Sequence, residues 1–332
     1  MMHTPVRRGS LLERAAQTYD FGAQLRARAP QHAPLPDMPA PARPLADPLP
    51  VADAPELDAT FLAIPPELRA PVGQELPDSF YDTPELSDIA GIDRGMLAEA
   101  GMIVPGAPVG PLAEEFRLIK RQLLITRERV AQTGYADKAR TALVCSARPG
   151  DGKTFCAVNL ALSMAAERDT EVLLVDADFA KPDVLATLGM AEQPGLLDAL
   201  ADSRIDVETL VIRTDVGGLS ILPAGTKTAT DTELLASART RTVLARLLEA
   251  NPRRIVIFDS PPALAASPAA VLAMLVGQVM LVVRADRTPE TELREAVQRL
   301  DGCDEIALVL NAVSFVPGGH RYGTYYGQES GK

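Results

Sequence analysis

Three short runs in this chain are apolar at every position: Val-Leu-Leu-Val at 172–175, Ile-Val-Ile-Phe at 255–258 and Met-Leu-Val-Val at 280–283. A strand with one wet face alternates apolar and polar residues, so a run without alternation must be covered on both sides. Segments with helical spacing separate these runs, and that order predicts a mostly parallel sheet with helices on both faces. Strands are expected at 141–146, 171–175, 219–222, 254–258, 279–283 and 306–310. Helices are expected near 153–167, 182–189, 195–202, 206–212, 231–250, 267–276 and 289–300. A further strong helix begins at Leu112, with Leu112, Phe116, Ile119, Leu123 and Leu124 on one side and Arg117, Lys120, Arg121 and Arg127 around the other. No internal repeat is found.

The first third is built differently. Eighteen of the 28 prolines lie at or before residue 111, and a chain so interrupted neither propagates a helix nor pairs as a strand. A disordered or extended linker is predicted there, with helical islands at 10–28 and 93–100. Residues 1–110 carry 8 Arg and 15 Asp or Glu, which gives them most of the chain's formal charge of -11. That balance argues against a protein that coats nucleic acid or anionic lipid. Cys145, Cys156 and Cys303 are too few for a disulfide framework and are read as core residues in a reducing compartment. The N-terminus has no apolar stretch of signal-peptide length, and Pro268 and Gly277-Gln278 divide the uncharged segment 261–283 into a helix and a strand rather than a membrane span.

The segment Ala147-Arg148-Pro149-Gly150-Asp151-Gly152-Lys153-Thr154 follows one expected strand and opens an expected helix. This is the P-loop spacing, with Ala in place of the first Gly. A Gly-rich turn alone is more often only a turn; here strand, loop, Lys-Thr and helix agree in order. Gly150 and Gly152 allow consecutive N–H groups to face a phosphate, and the helix adds its positive end. Lys153 supplies a cation for the β- and γ-phosphates, and the Thr154 hydroxyl is placed for Mg2+. Pro149, Asp151 and Phe155 complete the nucleotide-binding set. Asp176 and Asp178 stand at the end of one apolar strand and Asp259 at the end of another, at the sheet edge where α/β proteins place ligands. One carboxylate there can serve a metal and another can accept a proton from an attacking hydroxyl.

In these motifs the chain resembles the bacterial tyrosine autokinases of capsule and exopolysaccharide export, most closely their exosortase-associated branch. The resemblance is carried by SARPGDGKTF, VLLVDADFAKP and IVIFDSPP, supported by EEFRLIKRQLL, TELLAS, GQVMLVV and RYGTYYG, and it covers about residue 93 to 332. It implies a P-loop NTPase-type α/β fold, with a Pro-rich region at 1–92, a kinase domain at 93–316 and a flexible Tyr/Gly-rich tail at 317–332. It implies ATP and Mg2+ as cofactors, Lys153, Asp176 and Asp178 as catalytic residues with Asp176 as the base, and Thr154, Asp176 and Asp259 around the metal. Two positions depart from the family: Ala180 stands where an Arg is common, with Lys181 one residue later, and Phe155 replaces a small or hydroxyl residue.

Half of the six tyrosines, Tyr322, Tyr325 and Tyr326, fall in the last eleven residues among several glycines, which suits mobile phosphoacceptors. Glu114, Arg117 and Lys120 recur at i, i+3 and i+6 on the long helix, and the resemblance associates this pattern with ring assembly; a solvated charged face fits the spacing equally well. The resulting expectation is a cytoplasmic kinase that phosphorylates its own cluster in trans and is recruited to the inner face of the cell membrane by a membrane-bound polysaccharide chain-length regulator. Two rival readings remain. One is a nucleotide-switched positioning or partition ATPase, whose signature lysine would fall at Arg148. The other is a catalytically weak nucleotide-binding adaptor, supported by Ala180.

Overall fold

The computed structural model describes residues 89–313, and they build an eight-stranded sheet in the order β1-β4-β5-β3-β6-β2-β7-β8. The strands are β1 (Ile89–Ala90), β2 (Thr141–Ser146), β3 (Glu171–Asp176), β4 (Ile212–Thr214), β5 (Leu219–Leu222), β6 (Arg254–Asp259), β7 (Gln278–Arg284) and β8 (Ile306–Asn311). Every pairing is parallel except the antiparallel β4–β5 contact.

Alternation within the doubly apolar strands sends neighbouring residues into two separate cores. Leu143, Cys145, Leu173, Val175, Val256 and Phe258 enter one. Ala142, Val144, Val172, Leu174, Ile255 and Ile257 enter the other. Helices α2 (Pro111–Gln132), α3 (Lys153–Ala165) and α4 (Val184–Thr187) cover the second core, after the short α1 (Arg94–Glu99). Helices α5 (Leu196–Ala201), α6 (Asp231–Ala236), α7 (Ala238–Ala250), α8 (Pro268–Ala273) and α9 (Glu290–Arg299) cover the first. Leu173 and Leu174 are both fully buried. Each such side chain contributes about 2 kcal/mol by leaving water.

Four differences from the sequence reading have local causes. The helix expected at 231–250 is two helices, because Ser237 adopts an extended ψ of 159° and starts α7. The helix expected at 206–212 is a 3-10 turn, Val207–Leu210, after which the chain enters β4. Strand β4 itself was not foreseen. Neither was β1, which pairs with β4 ahead of residue 93. The uncharged stretch 261–283 contains α8 and most of β7, and among the described residues no helix is long and apolar enough to cross a membrane. All three cysteines are buried, and burial pushes the Cys145 thiol up to about 11 and the Cys156 thiol up to about 12. Residues 10–28, the Pro-rich segment before 89, and Tyr322, Tyr325 and Tyr326 lie outside the described residues.

Candidate active site

Strand β2 ends at Ser146 and α3 begins at Lys153, so the chain must turn within residues 147–152. Gly150 and Gly152 make the turn with φ of +82° and +97°. Gly152 is doubly constrained, since a Cβ there would meet the Asn311 Nδ2 at 2.1 Å. Gly152→Ala is therefore expected to lower the thermal midpoint by the equivalent of about 1–3 kcal/mol. An unchanged midpoint would show that the loop and Asn311 yield freely.

The loop is held from below by its carbonyl groups. Arg284 Nη1 donates to the Gly150 carbonyl at 2.8 Å, Asn311 Nδ2 to the Asp151 carbonyl at 2.9 Å, and Ser146 Oγ to the Arg148 carbonyl at 2.8 Å. The buried Asp151 carboxylate accepts from the Arg148 N–H at 3.1 Å and from Thr288 Oγ1 at 3.2 Å. No hydrogen bond among the described residues uses the N–H groups of Gly150, Gly152, Lys153 or Thr154. Those donors, at the start of a thirteen-residue helix, form a concavity of the kind suited to an anion. Arg284, Thr288 and Asn311 escaped the sequence reading. They stand at or just beyond the ends of β7 and β8, and their position at strand carboxyl ends was the signal available.

The acidic residues converge because their strands are adjacent. Asp176 on β3 is directly opposite Asp259 on β6, and β6 pairs with β2, whose end launches the loop. Lys153 Nζ lies 2.6 Å from Asp178 Oδ2 in a largely buried ion pair. Asp176 accepts the Asp178 N–H on Oδ1 at 3.2 Å and the Val184 N–H on Oδ2 at 3.0 Å. Asp259 is fully buried, and among the described residues neither of its oxygens reaches a partner at hydrogen-bonding distance and angle. The Thr154 hydroxyl acts to lower its pKa in part.

The electrostatics follow from that crowding. Burial pushes the Asp176 carboxyl up to about 7, against the opposing effect of its two backbone donors. Burial does the same to Asp259, also to about 7, with Lys153 pulling down and Asp176 and Asp178 pushing further up. For Lys153, burial alone disfavours the charged form, but Asp259, Asp178 and Asp176 together outweigh it and hold its pKa above the ordinary value. A lone buried carboxylate without partners is costly, and a cation is its natural complement. Asp259 and the Thr154 hydroxyl therefore fit a hard divalent ion such as Mg2+. Among the described residues no group of three or more His, Cys, Asp or Glu encloses a metal unaided. Mg2+ commonly completes its octahedron with waters and substrate phosphates.

The remaining expected residues are placed as follows. Pro149 is exposed at the loop's crest, and Phe155 is half-buried against the α2-side core. Ala180 is exposed, and Lys181 pairs with Asp183 at 2.7 Å. Glu114 and Arg117 form an ion pair on α2. Lys120 Nζ donates to the Ser163 carbonyl at 3.0 Å and pairs with Glu167 at 2.6 Å, tying α2 to the end of α3. Of the three heads Glu114, Arg117 and Lys120, the last is thus engaged within the chain.

The sheet, with helices on both faces and this loop between β2 and α3, is the P-loop NTPase fold. A family model described as an AAA domain matches residues 139–288. The chain is 36% identical over 188 residues to EpsB of Ralstonia solanacearum, a protein named as a candidate tyrosine-protein kinase. That match covers 55% of this chain but only 24% of EpsB, so the chain spans about a quarter of that relative's length. It is 27% identical over 211 residues to tyrosine-protein kinase YwqD of Bacillus subtilis, covering 64% of this chain and 84% of YwqD. Among solved structures, the BceF tyrosine kinase domain superposes with a TM-score of 0.50 at 29% identity, covering 59% of this chain and 76% of that domain.

Proposed function

We propose that the chain is an ATP:protein-tyrosine phosphotransferase whose acceptors are Tyr322, Tyr325 and Tyr326 of a second copy. The observation that carries this reading is the buried Lys153–Asp178 pair, flanked by Asp176 and Asp259 beside loop N–H donors that no hydrogen bond among the described residues uses. Relatives named as tyrosine-protein kinases support it.

The loop amides of residues 150–154 bind the β- and γ-phosphates, and Lys153 turns from Asp178 to the triphosphate, where its charge is needed most. Asp259 and Thr154 would hold Mg2+, with Asp178 nearby, and an ion held there would supply positive charge to offset that on the phosphate oxygens. The phenolic oxygen then forms a bond to the γ-phosphorus while the bond to the β–γ bridging oxygen breaks. ADP leaves with that electron pair, and the phenol proton passes to Asp176. A carboxylate with a pKa of about 7 is well matched to accept a proton near neutral pH.

The division of the chain into a Pro-rich part to residue 92, a kinase domain at 93–316 and a tail at 317–332 belongs to this proposal, although the sheet's first strand lies at 89–90. So do assembly into a ring through the Glu114–Arg117 face of α2, a role in exopolysaccharide polymerisation and export, and affiliation with the exosortase-associated branch. Cytoplasmic residence with recruitment by a membrane-bound chain-length regulator completes it. Each accumulated phosphate adds about two negative charges to the tail, which would loosen the ring by repulsion.

The test is incubation of the purified full chain with ATP and magnesium, followed by detection of phosphotyrosine, alongside a chain ending at Pro317. Labelling of the full chain and none of the shortened one is expected. Phosphate release without labelled tyrosine would favour the nucleotide-switched positioning reading instead, although Arg148, where that reading needs its lysine, lies 3.2 Å from Glu292.

A further inference from the structure

Strand β8 ends the sheet: among the described residues it pairs only with β7, so one row of its backbone donors and acceptors faces outward. Its flanks are unusually apolar for an edge. Leu308 and Leu310 are 55% and 66% exposed, and Val313 follows them. A groove of about 250 Å³ runs between β8 and α2, lined by Leu118, Ile119, Met280, Ala307, Leu308 and Val309. Leu118 and, two helical turns on, Ile125 are about half exposed on the same side of α2. An open edge bordered by apolar side chains on both faces invites pairing with another strand.

We propose that residues 321–327 of the same chain, Arg-Tyr-Gly-Thr-Tyr-Tyr-Gly, dock along this edge as an added antiparallel strand and so withhold the tyrosines. Three features select this occupant over a foreign one. The segment follows β8 within ten residues of its end, and a short tether gives a high effective concentration. The intervening residues include Pro317-Gly318-Gly319, a strong turn-forming triplet, and Ala312 already leaves the strand direction with φ of +53°. The segment also matches the edge in length and chemistry. Residues 306–311 extend roughly 20 Å, and Tyr and Thr are good strand formers. Period-two alternation puts Tyr322 and Tyr326 on one face and Tyr325 on the other, so both the α2 groove and the Leu308–Leu310 face receive an aromatic ring.

The regulatory consequence rests on the kinase reading; the docking does not. A phosphorylated phenol carries up to two negative charges and is excluded from an apolar face. Modification would therefore keep the tail off β8 and leave the edge open.

Hydrogen exchange on full-length protein, treated with a tyrosine phosphatase and kept free of nucleotide, tests the docking independently of catalysis. The amides of 306–311 are expected to exchange about tenfold more slowly than in a chain ending at Pro317, with matching protection at 321–327. The double variant Leu308→Ser/Leu310→Ser, confined to exposed positions, should lose both protections while the rest of the sheet keeps its own. Equal exchange at 306–311 in the full and shortened chains would overturn the proposal. Protection that rises with protein concentration would overturn it too, by assigning the edge to a second copy.

Discussion

Lys153→Met is expected to reduce tyrosine phosphorylation by roughly 10³-fold or more, because a cation aimed at the developing phosphate charge is among the largest electrostatic contributions to such a transfer. The same substitution should also weaken the fold. Lys153 sits 2.6 Å from Asp178 and is the cation that Asp176 and Asp259 oppose in the buried site. Removing one partner of a buried charge cluster costs about 3–5 kcal/mol when the remaining charges cannot be neutralised. Here the neighbours can take up protons, so the loss should be largest above pH 7 and smaller near pH 5. Urea unfolding at the two pH values, paired with phosphotyrosine detection, separates the catalytic effect from the structural one. A variant that is stable, folded and fully active would remove Lys153 from the mechanism.

Asp259→Asn is expected to make the protein more stable and less active. The sign follows from burial. Asp176 and Asp259 have folded-state pKa values raised to about 7. In the unfolded chain both return to the ordinary carboxylate range near 4. Between those limits the folded state holds protons that the unfolded state has released, so stability falls as pH rises through this window and levels off above it. Replacing Asp259 by a neutral isostere removes one of the two contributions. The variant should equal the native chain near pH 4 and exceed it by about 1–3 kcal/mol at pH 8, after allowance for the attraction to Lys153 that is lost with it. Activity should fall about 10²-fold or more as the metal-facing carboxylate disappears. A stability difference that does not change with pH would show that Asp259 is not a strained buried acid.

The strands were the most legible part of the fold, because runs such as Ala142–Cys145 are apolar on both faces and permit no other burial. Strand β4 was missed because Ile212-Arg213-Thr214 is short and mixed in polarity. The Gly217-Gly218 turn between it and Leu219 was a usable hairpin signal. The break at Ser237 was likewise visible as a cap residue inside a helical pattern. At the site, sequence spacing and strand ends pointed to the loop, Lys153 and the three aspartates, and the structure brings these residues together. Which carboxylate pairs with Lys153, and which finds no hydrogen-bond partner among the described residues, depends on side-chain geometry that spacing does not encode. The supports Arg284 and Asn311 lie more than 130 residues from the carbonyls they hold. Lys120 shows the opposite failure, since helical spacing gave its side of α2 but not the carbonyl of Ser163 waiting for it.

The central claim is that one copy's phosphate site acts on another copy's tyrosines. Its most direct test mixes the otherwise native chain ending at Pro317, which keeps the site and lacks the acceptors, with full-length Lys153→Met at a pH where that variant stays folded. After addition of ATP and magnesium, site-resolved mass spectrometry reads the full-length chain. Phosphate on Tyr322, Tyr325 or Tyr326 is the predicted result, and ADP formation with those three tyrosines unmodified would contradict it.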